Sequence, residues 1–315
     1  MATNAANDSR ARVLASRVHL YVAPVDRASG APAALNLARD GMFPLEQPPA
    51  PWVATGWIDN FARSAETAIE AVRCGPQGAA QAQFRRKLEA RVSFTFGTWG
   101  KIQMAIAGGG EHFNILAAGS DGTAVPKVAL LEGSTATELK IGAAAVELFR
   151  AGDRLAVDAD YGGETGYVGA GIAGAFVRDT EAAPSDSDYL RRITCNVGEV
   201  AAAGADSLTL AAALAAGVPA AGMGVQKIAG FCDREGGAFF QDWSLLFVVA
   251  EEGGGRLCLH YPRMQAAVPA GEHVVELAGP LRAMMLRASL RALPVPDPID
   301  GQPALCYRAY FPAAQ

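Results

Sequence analysis

The stretch Gln81–Phe96, QAQFRRKLEARVSFTF, alternates along its whole length. Its even positions Ala82, Phe84, Leu88, Ala90, Val92, Phe94 and Phe96 are apolar, with Arg86 the exception. Its odd positions Gln81, Gln83, Arg85, Lys87, Glu89, Arg91, Ser93 and Thr95 are all polar. A period of two marks a β-strand with one buried and one wet face. Ordinary strands run about five or six residues. This one would span roughly 50 Å at about 3.3 Å per residue. Such a strand implies a large continuous sheet, shared between subunits, and points toward assembly rather than catalysis. Arg86 lies on the apolar side, where an unpaired charge is costly, so a carboxylate across a subunit boundary is the expected partner.

The rest of the chain also reads as strands. RVHLYVAPV (17–25) is a first strand closed by a proline turn, and 27–51 reads as a long loop. WVATGWIDNF (52–61) and SAETAIEAVR (64–73) are two strand candidates before the turn at 75–78. After Phe96 the period changes. Gly97 breaks the strand, and Thr98 is the expected N-cap of a short helix. Trp99, Ile102 and Ile106 fall on one helical face, and Gly108–Gly110 end the helix. Further on, AFFQDWSLLFVVAEE (238–252) and RLCLHYPRM (256–264) read as a hairpin around Gly253–Gly255. MLRASLRAL (285–293) alternates, with Arg287, Ser289 and Arg291 on one face, and ALCYRAYF (304–311) closes the chain.

Charge divides the chain. Residues 146–229 hold eleven acidic and six basic residues, which accounts for the whole formal charge of −5. Short apolar pieces there (155–161, 189–197, 206–211 and 225–231) are set apart by turn signals, the pattern of a small antiparallel barrel. The expected division is therefore 1–145 and 230–315 as two halves of one domain, with 146–229 inserted as an acidic β domain. The fold class expected is mainly β: two packed antiparallel sheets with one short flanking helix, plus the small inserted barrel.

Candidate chemistry is sparse. The mild acidity argues against a general nucleic-acid binder. Five widely spaced cysteines include no C-x-x-C pair, which suits reduced thiols rather than a disulfide framework. The N-terminal residues lack the apolar core of a signal peptide, and Leu208–Val225 is too broken by glycine and proline for a membrane helix. GAGIAG (169–174) matches the dinucleotide fingerprint, but the preceding residues are glycine-rich and the following ones too polar for its helix. DADYGGE (158–164) lacks the glutamate of a calcium loop at its twelfth position. His19, His112, His260 and His273 form no ligand pair, and His19 and His260 read as sheet or core histidines. Cys232 lacks a placed histidine base. No catalytic residue, cofactor site or metal site is assigned.

The long strand, the helix FGTWGKIQMAIAGG (96–109), the preceding 56–90 and the later DREGGAFFQDWSLLFVV…RLCLHYPRM (233–264) together resemble the tail tube (major tail) proteins of bacteriophages and prophages. The resemblance covers about 50–115 and 230–315. It implies a structural protein rather than an enzyme, six copies of which close into a ring with an inner β-barrel. Stacked rings form a hollow tube that conducts the genome during ejection. Gln81, Gln83, Arg85, Lys87, Glu89 and Arg91 then face the lumen or a neighbouring subunit. Phe84, Leu88, Val92, Phe94, Phe96, Trp99, Ile102 and Ile106 pack between sheets, and the 27–51 loop reaches the next ring. The implied partners are further copies, tape-measure and tail-terminator proteins, a sheath in contractile tails, and DNA in transit, with no membrane. The implied place is the virion tail, after synthesis in the cytoplasm of the host bacterium. The inner tube of a contractile injection system, a β-sandwich binding module and, least, a nicotinamide-dependent enzyme stand as alternatives.

Overall fold

A computed structural model describes residues 15–25, 32, 35–49, 52–74, 79–109, 111–119, 122, 125–158, 172–174, 196–214, 217–234, 242–267, 271–273 and 285–313. The chain is mainly β, with antiparallel sheets that pack around separate cores.

In chain order, β1 (Ala15–Pro24), a helical turn α1 (Leu37–Asp40), β2 (Val53–Cys74) and β3 (Ala79–Phe96) lead to helix α2 (Lys101–Gly108). Next come β4 (Glu111–Leu116), β5 (Val128–Ala129), β6 (Glu138–Lys140), a turn α3 (Ala143–Val146), β7 (Arg154–Asp158) and β8 (Ile172–Gly174). β9 (Asn196–Ala203), β10 (Ser207–Leu210) and β11 (Gly224–Arg234) follow. The last run is β12 (Trp243–Glu251), β13 (Arg256–Ala266), β14 (Gly271–His273), β15 (Met285–Ala292), β16 (Val295–Pro296), β17 (Pro303–Ala304) and β18 (Tyr307–Phe311).

The first sheet runs β14-β15-β3-β2-β1-β12-β13-β18, and β15 also pairs β13. That extra pairing, Met264–Ala266 against Leu290–Ala292, brings this sheet back onto itself. Its inner face encloses Leu20, Val92, Phe94, Phe96, Phe247, Tyr261 and Leu290. Phe247 is fully buried, with the rings of Phe61, Phe94 and Tyr261 at 4.9, 5.5 and 5.9 Å. α2 closes this core with Ala105, Ile106 and Ala107, while Trp99 and Ile102 pack partly buried against it.

The helix begins at Gly100, which makes no side-chain cap, so the expected Thr98 cap is not formed. It ends at Gly109 with φ 64°, where a Cβ would come within 2.7 Å of the Ala266 Cβ. Glycine is the residue that fits both demands.

The second sheet runs β6-β10-β9-β7-β11-β4-β8, with β5 on β11. It has its own core of Leu139, Leu155, Val157, Leu208 and Val225. Its strands start at Glu111, so it takes in residues ahead of the expected boundary at 146. Buried Lys101 of α2 donates to Asn114 Oδ1 of β4 at 2.8 Å, tying the helix to this sheet.

The two strand candidates at 52–61 and 64–73 are one strand, β2, interrupted by a bulge. Asp59 pairs Thr95 and Ala62 pairs Ser93, so Asn60 and Phe61 are passed over. Asn60 takes φ 52° and its Nδ2 donates to Thr95 Oγ1 at 3.4 Å. Phe61 turns into the core against Phe247. Asparagine tolerates this left-handed conformation, whereas a β-branched side chain does not. Asn60→Val is expected to cost about 1–2 kcal/mol, and Asn60→Gly to be close to neutral. Chemical denaturation of the two variants checks this.

Candidate functional site

Past that bulge, β2 and β3 leave the body as a two-stranded arm. The last β1 partner of β2 is Val18, opposite Ile58. The last β15 partner of β3 is Arg291, opposite Arg91. Beyond these points each strand pairs only with the other among the described residues. From Ala62 to Glu70 every residue is exposed, as are Val72, Ala82, Gln83 and Leu88. The arm extends roughly 40 Å at about 3.3 Å per residue.

Leu88 was expected between the sheets, but it is 40% exposed. From Leu88 to Phe96 the alternation marks which residues share a face, whereas the bulge at Arg86 puts Gln83 on the opposite face from Glu89 and Arg91. Beyond Ala90, however, no second layer among the described residues covers the face of Leu88. Val92, Phe94, Phe96 and Ile106 lie buried in the core. The side chain of Phe84 lies outside the described residues.

The side chain of Arg86, and with it the expected pairing with a carboxylate, lies outside the described residues, but its place in the backbone is seen. Ala68 pairs Lys87 and Ile69 pairs Arg85, so Arg86 is passed over. The break in the hydrophobic alternation falls on a bulge, the device that admits one extra residue and bends a strand.

Of the expected lumen residues, all six lie on β3. Gln83 is exposed on the arm, while Glu89 and Arg91 stand at its root. The side chains of Gln81, Arg85 and Lys87 lie outside the described residues. Arg91 is directly opposite Arg291 of β15, a repulsive pairing on its own. Glu89 offsets it: its Oε1 accepts from Arg91 Nη2 at 2.7 Å and lies 3.1 Å from Arg291 Nη2. Ser289 opposite Ser93 and Arg287 opposite Thr95 continue this open polar face. Asp59 and Trp57 extend it on β2, with Trp57 half exposed beneath the Arg17 guanidinium at 5.5 Å. The sequence showed the alternation of Arg287, Ser289 and Arg291, but not that β15 pairs with β3.

On the other half of the outer surface the sheet is covered. The expected free loop at 27–51 is instead, in its described part, a strap whose Leu35, Leu37, Phe43 and Leu45 pack on Tyr21, Leu246 and Val248. Tyr21 donates its hydroxyl proton to the Leu45 carbonyl at 2.9 Å, and Arg256 Nη1 donates to the Phe43 carbonyl.

Beside the strap lies a cleft of about 590 Å3, lined by residues that include Leu37, His260, Pro262, Pro298, Ile299 and Tyr307. His260 Nε2 is 3.1 Å from Ser244 Oγ, and its ring stacks on Tyr307. Ser244 is completely buried beneath His260, which is itself 4% exposed at the cleft. Tyr307 donates to Asp297 Oδ2 at 2.7 Å, which holds the Asp297 carboxyl below its usual range.

Burial pushes the His260 pKa down to about 4, against about 6.5 in the unfolded chain. Its contribution is therefore fully present above pH 6.5 and is lost as pH falls toward 4. The full loss is roughly 3 kcal/mol. Unfolding free energies of the wild type and His260→Gln, measured across that window, should differ in slope. Equal slopes would contradict the assignment.

The nucleotide motif does not form its fingerprint. Ile172–Gly174 run as strand β8 against β4, where a dinucleotide site needs a helix N-terminus. The rest of that motif, and most of the acidic run from Asp158 to Glu164, lie outside the described residues. Cys232 lies in β11 opposite Phe113.

No protein-family model matches the chain, and no curated protein matches its sequence.

Proposed function

We propose that this chain is a self-assembling structural subunit of a hollow tube, of the tail tube kind found in bacteriophages and prophages. The observation that carries the reading is the β2–β3 arm, with both faces wet and both outer edges unpaired among the described residues. An isolated two-stranded ribbon is marginal in water, and long bare edges invite pairing with another chain. Ile69, Val72 and Leu88 add exposed apolar surface to it. A second copy supplies the missing partner, and ring closure removes the edges.

In this reading six copies close into a ring, with the polar face around Glu89, Arg91, Ser289 and Arg291 turned to the bore. On that face Glu89 pairs with both Arg91 and Arg291. Cations held in this way are less available to displace phosphate counterions from passing DNA. The second sheet, with its separate core and its acidic excess, decorates the outside. Tape-measure and terminator proteins contact the ends of the stack, and the assembly belongs to a virion tail.

Sedimentation velocity over a concentration series tests this. A cooperative step from monomer to a six-fold larger particle and then to longer species is expected. A single monomer boundary at every concentration would contradict it.

A further inference from the structure

We propose that Arg63 and Glu89 form a two-sided clamp at the root of the arm, which fixes the direction in which the arm meets another copy. This rests on the self-assembly reading and names the residues that prepare its contact.

The register puts the two residues on opposite faces of the ribbon. Arg63 pairs Val92, which is buried in the core, and directly paired residues share a face. Arg63 is therefore on the inner face. Glu89 is three residues from Val92 along β3, so it is on the outer face with Arg91.

On the inner face Arg63 Nε donates to the Tyr261 hydroxyl at 2.7 Å. Tyr261 is completely buried on β13, and β1 and β12 lie between β2 and β13 in the sheet. The bond therefore crosses the interior instead of following the ladder. Burial pushes the Tyr261 pKa up, so its hydroxyl stays neutral and accepts from the guanidinium. A hydrogen bond with one charged partner is stronger than a neutral one. On the outer face Glu89 Oε1 lies 3.1 Å from Arg291 Nη2, and Arg291 belongs to β15 in the body.

Both bonds fall where the ladders to the body have ended. The last body partner of β2 is opposite Ile58, and the last of β3 is opposite Arg91. A ribbon tied on one face can swing toward the other, whereas a ribbon tied on both keeps its angle. The angle matters because the arm is long. A turn of about 10° at the root carries a tip roughly 40 Å away by about 7 Å, more than the spacing of about 4.8 Å between paired strands. An edge displaced that far loses its hydrogen-bonding partner. Fixing the angle in the free subunit removes an ordering cost from assembly.

Tyr261→Phe and Glu89→Gln, singly and together in the full chain, test the clamp. The first keeps the buried ring and the second keeps the shape of the side chain. Arg63→Gln, at an exposed position, repeats the inner test should Tyr261→Phe not fold. Hydrogen exchange of the dilute proteins is compared over 62–73 and over β12, and sedimentation velocity gives the concentration at which particles form. Either single variant should exchange faster over 62–73 with β12 unchanged, and assemble at a concentration about tenfold higher, the factor that about 1.4 kcal/mol gives. The double variant should resemble each single one, because releasing either face frees the ribbon. Two independent contacts would instead multiply their effects. Unchanged exchange over 62–73, or effects that multiply, would overturn the clamp and leave self-assembly standing. A wild type that stays monomeric at every concentration would overturn the self-assembly reading and the clamp with it.

Discussion

Replacing Ile69, Val72 and Leu88 together with lysine is expected to leave a folded monomer that no longer assembles. All three side chains lie on the arm and are exposed in the single chain. They contribute no core packing, so the unfolding transition should stay within about 0.5 kcal/mol of wild type, as for ordinary surface changes. Lysine along a bare strand edge is a common means of preventing pairing with another chain. The expected sedimentation profile is a monomer at concentrations where the wild type forms large particles. Unchanged assembly would show that the arm is not the contact.

Phe247→Ala should have the largest effect on stability. The ring is completely buried at the centre of the Phe61, Phe94 and Tyr261 cluster. Phenylalanine-to-alanine changes in such a core cost about 3–5 kcal/mol. Chemical denaturation measures the loss, and a loss below about 1 kcal/mol would contradict the packing described. A second consequence follows from Phe61. The bulge at Asn60 places that ring against Phe247 at the root of the arm, so loss of Phe247 removes a contact that holds the root in place. The variant should therefore assemble less well even at temperatures where it remains folded.

Much of this architecture was legible in the sequence because strand alternation is a local signal. β1, β3, β12, β13, β15 and β18 fall where the periodicity puts them, and the hairpin of β12 and β13 forms around its glycine turn. What alternation cannot show is whether a second layer exists to cover an apolar face. Leu88 has the same pattern as Val92 and Phe94, yet it lies beyond the reach of β15. Bulges were partly visible: Arg86 broke the pattern, but a residue passed over in pairing reads the same as a buried charge. Asn60–Phe61 left no such trace, so one strand read as two.

The strap carried a signal in Leu35, Leu37, Phe43 and Leu45, apolar residues in a proline-rich loop, which mark a segment that packs rather than one that floats. The cleft beside Tyr307 gave none. It is assembled from the strap, β13 and the β16–β17 turn, which come together only through long-range pairing.

Negative-stain electron microscopy of the purified chain at rising concentration is the sharpest test of self-assembly. Hollow rings or tubes with six-fold end views are expected, lost in the lysine variant of the arm. Uniform single subunits at every concentration, identical in wild type and variant, would contradict it.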